Sequence, residues 1–459
     1  MAGIGFVLRR LAQQDVLSAN LRGYAHAALV TSGPWLFTVW TLGAVELFGH
    51  ALVSRDVLTR FSIVIIYNFA FSLVVSGPVV LVVTRSLADR IYMKDVREAP
   101  GMFLGALALL YALMAAIGIP FYGFVVAMSP VERLVALISF FVTGGIWLAA
   151  TFMSALKSYS TITAAFAAGL VVGFAMVIQL APAFGVSGMI AGFTAGMAVI
   201  FFTLVARIFA EYPHEVAHPF GFLRDFRRYW ELALVGFFYN AAIWIDKWIM
   251  WFADGHVVVA GAMPAHPVYD GAMFLAYLSI VPAMTLFLVA VETRFFETYL
   301  IFYRDIENDA TLEKIRSNHR AMLSVLIEGF RNIAVLQTVV CYLAVLVAPR
   351  LVGMAGGGNE MVPVFRFGVL GALFHALLLL VMVIISYLDL RRVLLAVTVV
   401  FFTLNTGLTG VTVLMGPEYY GYGYFLSALL TLGFSYLMVS RRVARLPYMT
   451  FIANNAGLR

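Results

Sequence analysis

The stretch "PVFRFGVLGALFHALLLLVMVIISYLDLRRVLLAVTVVFF", residues 363–402, decides the fold. Its first half is an apolar run of about the 20 residues that a helix needs to cross the hydrocarbon layer. It turns at Arg391 and Arg392 into a second run of the same kind. Runs like these recur along the whole chain. With 63% hydrophobic and only 12% charged side chains among 459 residues, they cannot all be packed inside one soluble core. Backbone polar groups find no water in lipid, so each run has to be a helix. About twelve spans are expected, near 24–49, 61–83, 101–128, 132–156, 159–181, 185–207, 230–253, 271–293, 332–353, 363–388, 391–415 and 419–440. The fold class is therefore an all-α polytopic membrane protein.

Lys and Arg set its orientation. With both termini on the cytoplasmic side, 24 of the 30 fall in inner segments. Only Arg55, Arg60, Arg133, Arg350 and Arg366 fall in outer ones, and Lys247 lies within a span. The formal charge of +6 is thus explained by orientation and by anionic lipid, and no nucleic-acid partner is expected. The single cysteine, Cys341, excludes a disulfide within the chain and a thiolate metal cluster, and reads as packing. At the start, Arg9 and Arg10 follow the apolar residues 6–8, unlike a cleaved signal peptide, so 1–22 is expected to stay as an amphipathic segment on the inner face.

The connection 211–229 falls between the sixth and seventh spans and divides the chain into two six-helix bundles, 23–210 and 230–442, with a tail at 443–459. Transporters are often built from two such halves around a central site. The second bundle carries the cytoplasmic loop 294–331, whose mixed charges and apolar residues at 312, 315, 322, 323 and 326 predict an amphipathic helix. It reads either as a docking surface or as an ordinary solvated helix. Glycines four apart, Gly169 with Gly173 and Gly188, Gly192 and Gly196, predict close packing of the fifth and sixth spans. Ser-Gly-Pro recurs at 32–34 and 76–78, and Pro34, Pro78, Pro120 and Pro282 are expected to bend their helices. The tyrosines of "PEYYGYGYF", 417–425, read as an aromatic belt or a glycan platform.

No phosphate-binding loop, zinc-protease motif or nucleophile elbow is present, so no ATP hydrolysis, cofactor or metal is expected and the chain does not read as an enzyme. What remains is polarity inside spans, which costs at least ~2.5–3.5 kcal/mol per ionised group and therefore marks a cavity or a partner. Asp246 and Lys247 stand side by side in "FYNAAIWIDKWIMWF", 238–252. Adjacent residues point ~100° apart, so each is expected to need its own partner, with Lys247 snorkelling outward as the alternative. Asn240, Trp244 and Trp251 share the Lys247 stripe and suit sugar hydroxyls and ring faces. Glu46, Glu292 and His375 complete the expected substrate or ion path, and Arg294 with Glu297 an inner gate.

The opening "MAGIGFVLRRL", the "SGPW" of the first span and "IDKWIMWF" of the seventh resemble the PelG exporters, inner-membrane transporters of the Pel exopolysaccharide within the multidrug, oligosaccharidyl-lipid and polysaccharide exporter (MOP) superfamily. The resemblance implies two six-helix bundles and export of an N-acetylhexosamine polymer to the periplasm. It also implies partners: a cytoplasmic glycosyltransferase and membrane proteins including a cyclic di-GMP receptor. Two rivals stand beside it. One is an autonomous ion-coupled drug or lipid-linked oligosaccharide transporter. The other is a polytopic glycan polymerase or acyltransferase, whose acids and histidines would have to come from Asp254, His256, His266 and Asp270 in a short outer loop.

Overall fold

A computed structural model describes residues 38, 40–155, 159–289, 295–444 and 446. The amphipathic start, the first Ser-Gly-Pro, Glu292 and Arg294 lie outside the described residues. Ten helices among those described are long and apolar enough to cross a membrane. They account for eleven of the expected spans, because one of them, Tyr159–Glu211, is the fifth and sixth spans joined at Gly185. The described part of the first span is helical over 40–49.

The contacts form two compact units, one within residues 32–266 and the other within 267–459. In the first, the helix over 40–49 (α1) is followed by α2 (Arg55–Tyr92), α3 (Ala99–Pro120), a π-helical turn (Phe121–Val125), α4 (Pro130–Ala155), α5 (Tyr159–Glu211), the short α6 (Leu223–Arg228) and α7 (Trp230–Met250). A β-hairpin, β1 (Val257–Val259) with β2 (Met263–Ala265), then pairs antiparallel where the sequence reads as plain loop. Gly185, at φ 53°, takes the left-handed backbone that favours glycine and turns α5 back on itself. The predicted glycine contacts follow: a Cβ on Gly169 would meet the Gly196 carbonyl, and one on Gly192 the Met176–Val177 backbone.

The expected division in the 211–229 connection is not where the contacts divide. A Cβ on Gly101 or Gly105 would strike the Ala217 or Pro219 carbonyl, so this connection lies directly on α3. Ser86 bonds Asp225 and Tyr229 bonds Asp89, with the Arg85 and Arg228 guanidiniums 5.7 and 5.1 Å from the Tyr229 ring centre. Burial, reinforced by the Asp89 carboxylate, pushes the Tyr229 phenol above its usual range. The seventh span consequently packs on α2 within the first unit, and the division falls between His266 and Pro267.

The second unit holds α8 (Pro267–Leu278) and α9 (Val281–Val289), which are two pieces of the expected eighth span, then α10 (Phe296–Glu307) and α11 (Leu312–Leu346). After these come α12 (Ala348–Met354), α13 (Met361–Tyr387), α14 (Arg391–Met415) and α15 (Tyr422–Ala444). The amphipathic part of 294–331 is α10 together with the first turns of α11, which runs unbroken into the ninth span. Thr311 caps α11 by accepting from the Lys314 N–H. Ile315 and Met322 are buried while Leu312 is exposed. His319 bonds the Val443 carbonyl at 2.9 Å, fixing this segment to the end of α15. Cys341 is buried.

Candidate functional site: the seam between α2 and α7

Two glycines bring α7 onto α2. A Cβ on Gly77 would strike the Gly236 carbonyl, and one on Gly236 would strike the Gly77 carbonyl and the Pro78 nitrogen. The second Ser-Gly-Pro is thus a backbone crossing. Pro78 brings no N–H to the Val74 carbonyl, and one residue earlier the Leu73 carbonyl accepts from Asn240 Nδ2 at 3.1 Å and from Ser76 Oγ at 3.1 Å. Asn240, a predicted path residue, is here a helix-to-helix bond.

From that crossing toward the start of α2, the seam is aromatic. Phe71 stacks on Trp248 (ring centres 5.1 Å, planes 11° apart), and one turn on Tyr67 stacks on Trp251 (4.6 Å, 11°) and on Phe121 of the π-turn (5.9 Å, 11°). The Tyr67 hydroxyl donates to the Pro264 carbonyl at 2.6 Å, and Ala127 N–H to the Ala260 carbonyl at 2.8 Å, so the β-hairpin is fastened over this end. Behind the column, Tyr122 donates to Asn68 Oδ1 at 2.6 Å and Asn68 Nδ2 donates to the Ala136 carbonyl at 3.2 Å. A cavity of about 50 Å³ lies among Tyr67, Asn68, Phe71, Phe121, Tyr122 and Phe140. The π-turn that shapes it ends at carbonyls held by Arg133, which donates to Gly123 at 3.0 Å, while Arg60 reaches Glu132 at 3.2 Å. Two of the few arginines expected on the outer side are therefore bound into the structure.

Asp246 and Lys247 lie on the same helix, and here the sequence expectation is corrected. They meet each other: Lys247 Nζ is 3.1 and 3.2 Å from the two Asp246 oxygens. The four-carbon stem curls back along α7, which lets Nζ also donate to the Ile243 carbonyl at 3.0 Å and lie 5.7 Å from the Trp244 ring centre. Neighbouring Cβ directions diverge, but a flexible lysine stem overcomes that divergence. Nor does Lys247 snorkel, since it is 6% exposed and Asp246 is 0% exposed. An ion pair this deep costs several kcal/mol of desolvation for each ion, which its geometry only partly returns.

The remaining predicted residues stand apart from this seam. Glu46, about half exposed, faces His50 on its own helix at 3.4 Å. His375 belongs to the second unit, where its Nδ1 is 2.8 Å from the Tyr424 hydroxyl and its ring packs on Phe401. Tyr424 is itself fully buried, so the tyrosine cluster is partly core rather than belt. Glu297 is exposed on α10, and its expected gate partner Arg294 lies outside the described residues. The histidines of 254–270 hold the hairpin: His256 bonds the Ala253 carbonyl at 2.9 Å and His266 the Asp254 carbonyl at 3.0 Å. Tyr67, Phe71, Tyr122 and Trp248 are not singled out by the sequence, whereas Trp251 is, on the Lys247 stripe. Their signal was aromatic pairs four and three apart on two spans, legible only once those spans are known to face each other.

This architecture is an all-α membrane fold that solved membrane transporters share. The solved structures that resemble it include a MATE in complex with MaL6 (TM-score 0.62, 15% identity, covering 92% of this chain and 97% of that one). An outward-facing multidrug resistance MATE transporter of the MOP superfamily is similar too (TM-score 0.59, 15% identity, 92% and 96% covered). So is a MOP superfamily transporter from Pyrococcus furiosus (TM-score 0.62, 15% identity, 92% and 96% covered). At such identity the likeness establishes the fold. No curated protein matches the chain. A family model described as "PelG: Putative exopolysaccharide Exporter (EPS-E)" matches residues 1–451, and the chain belongs to that family.

Proposed function

We propose that this chain carries a Pel-type N-acetylhexosamine polysaccharide across the bacterial inner membrane, fed by a cytoplasmic glycosyltransferase and assembled with membrane partners that include a cyclic di-GMP receptor. The observation that carries the reading is the α2–α7 seam, where an aromatic column, two asparagines and a buried ion pair lie along one pair of membrane helices. Aromatic faces and amides are the groups that engage sugar rings and their hydroxyls. The ion pair supports the reading because it costs stability where apolar side chains would not. A transporter that binds a polar, uncharged chain needs such groups at membrane depth.

In this mechanism the glycosyltransferase docks on the 84–100 segment and on the α10–α11 region, and chain growth pushes polymer past the seam. The exposed, mixed charges of α10 and early α11, including Arg304, Glu313, Arg316 and Arg320, suit a soluble protein surface. Asp246 and Lys247, buried and neutral as a pair, place a compact dipole beside the seam without adding net charge to it. Purification of the tagged chain from its native membrane in mild detergent tests the coupling. A copurifying glycosyltransferase, lost when Arg316 and Arg320 are reversed to Glu, supports it. Recovery of the chain alone, under conditions that keep other membrane complexes whole, overturns it in favour of an autonomous transporter.

A further inference from the structure

The eighth span is broken inside the second unit. Helix α8 stops at Leu278 and α9 starts at Val281, with the Ser279 and Ile280 amides turned back to the Ala276 and Tyr277 carbonyls at 3.1 Å each. Pro282 brings no N–H to the carbonyl of Leu278, four residues before it. The Ser279 carbonyl is met instead by a side chain, Gln337 Nε2 on α11, at 3.0 Å. Gln337 is 0% exposed, and the other end of its amide, Oε1, has no hydrogen-bond partner. Leaving such an acceptor buried and bare costs about 1–3 kcal/mol.

The groups gathered here are of one kind. The Leu278 and Ser279 carbonyls, the Gln337 Oε1 and the lone pairs of Ser279 Oγ, whose proton goes to the Ala276 carbonyl at 2.6 Å, are all acceptors. They sit at the carboxyl end of a 12-residue helix, where the peptide dipoles present partial negative charge. A water would donate to two of these acceptors, and none of the four would donate to it in return. A cation needs no donor. The acceptors are neutral and the amide does not titrate, which rules against a proton. Among the described residues no group of three or more His, Cys, Asp or Glu is placed to hold a metal, which rules against a divalent ion. Broken membrane helices bind alkali cations with unwound carbonyls of this kind.

We propose that the break in the eighth span, with Gln337 Oε1 and the Leu278 and Ser279 carbonyls as ligands, is a site for an alkali cation that holds the bend of α8 on α9. The site lies wholly in the second unit and does not depend on what the transporter carries. The test uses the purified full chain with no polysaccharide present. Thermal unfolding is followed in sodium, potassium and choline chloride at equal ionic strength, and binding of radioactive sodium or rubidium is measured directly. One alkali salt is expected to raise the midpoint over choline in a saturable way, as mass action on the folded state requires. Choosing between sodium and potassium identifies the ion. Gln337→Met removes the response, and Gln337→Glu, which keeps an oxygen and adds charge, reaches it at lower cation concentration. Equal midpoints in all three salts with no isotope bound would overturn the site. An undiminished response in Gln337→Met would do the same, by placing the ion elsewhere. Should Gln337→Met fail to fold, isotope binding to the wild type and to Gln337→Glu decides the matter alone.

Discussion

Both compact units bury polar side chains between membrane helices, but of different kinds. Along α7 the first unit buries a carboxylate and an ammonium, Asp246 and Lys247, beside aromatic stacks. Along α14 and α15 the second buries hydroxyls and an amide: Thr398, Asn405, Thr409 and Thr412 on one helix, Ser427, Thr431 and Ser435 on the other. Most of those hydroxyls satisfy themselves on their own helix, Thr398 on the Leu395 carbonyl at 2.9 Å, Ser427 on Tyr424 at 2.8 Å and Ser435 on Leu432 at 2.8 Å. Small self-satisfied residues are compatible with close packing and cost little. At Gly423 the two helices are so near that a Cβ would strike the Thr409 backbone. A buried ion pair has no such justification in packing, since apolar residues of the same size would hold the helix at least as well. The hydroxyls of α14 and α15 are architecture, whereas the ion pair of α7 is the feature that the proposed transport role would explain.

Substitution sharpens this contrast. The largest effect is expected at Lys247: changing it alone to Met leaves Asp246 buried without its partner and should cost about 3–5 kcal/mol in thermal unfolding, whereas changing both, Asp246→Asn with Lys247→Met, should recover most of that loss. Next is the helix crossing, where Gly236→Leu drives a side chain into the Gly77 carbonyl and should cost about 1–3 kcal/mol or separate α7 from α2, detectable as loss of Trp248 and Trp251 burial in fluorescence. In the second unit Ser435→Ala removes a bond the helix barely needs, and the change should stay under about 1 kcal/mol. Tyr67→Phe removes the bond to Pro264 and should cost about 0.5–1.5 kcal/mol, read as faster proteolysis of the 254–266 hairpin.

The same hairpin carries the smallest effect. Burial lowers the pKa of His266 below its ordinary 6.5, with His256 nearby acting in the same direction. A histidine held neutral in the folded chain contributes stability that is complete above 6.5 and is lost as the pH falls through the lowered value. The protection of residues 254–266 against hydrogen exchange, taken relative to the intrinsic rate at each pH, should therefore fall between pH 7 and 5, and His266→Asn should flatten that dependence.

Much of the fold is legible in the sequence because the membrane simplifies it: an apolar run about 20 residues long must be a helix, and glycines four apart must approach something closely. Gly169, Gly192 and Gly196 do so as expected. What is not legible is which helix meets which. Nothing local in "VSGPVVL" or "GFFYNAA" says that Gly77 and Gly236 touch, 159 positions apart, and the pairing of Tyr67 with Trp251 follows only from that contact. The Asp246–Lys247 pair was visible as two charges, yet the rule for adjacent residues pointed away from the bond they make, because it counts Cβ directions and not the reach of a lysine. The hairpin at 257–265 was hidden by its brevity, with strands of three residues each.

The central claim is that the ion pair of α7 serves transport and not folding, and the double variant Asp246→Asn with Lys247→Met tests it most directly. Polymer reaching the cell exterior and the amount of the chain in the membrane are measured together. The account predicts a chain present at the wild-type level that exports little or no polymer. Wild-type export by that variant would contradict it, leaving the pair as a structural feature of α7 alone.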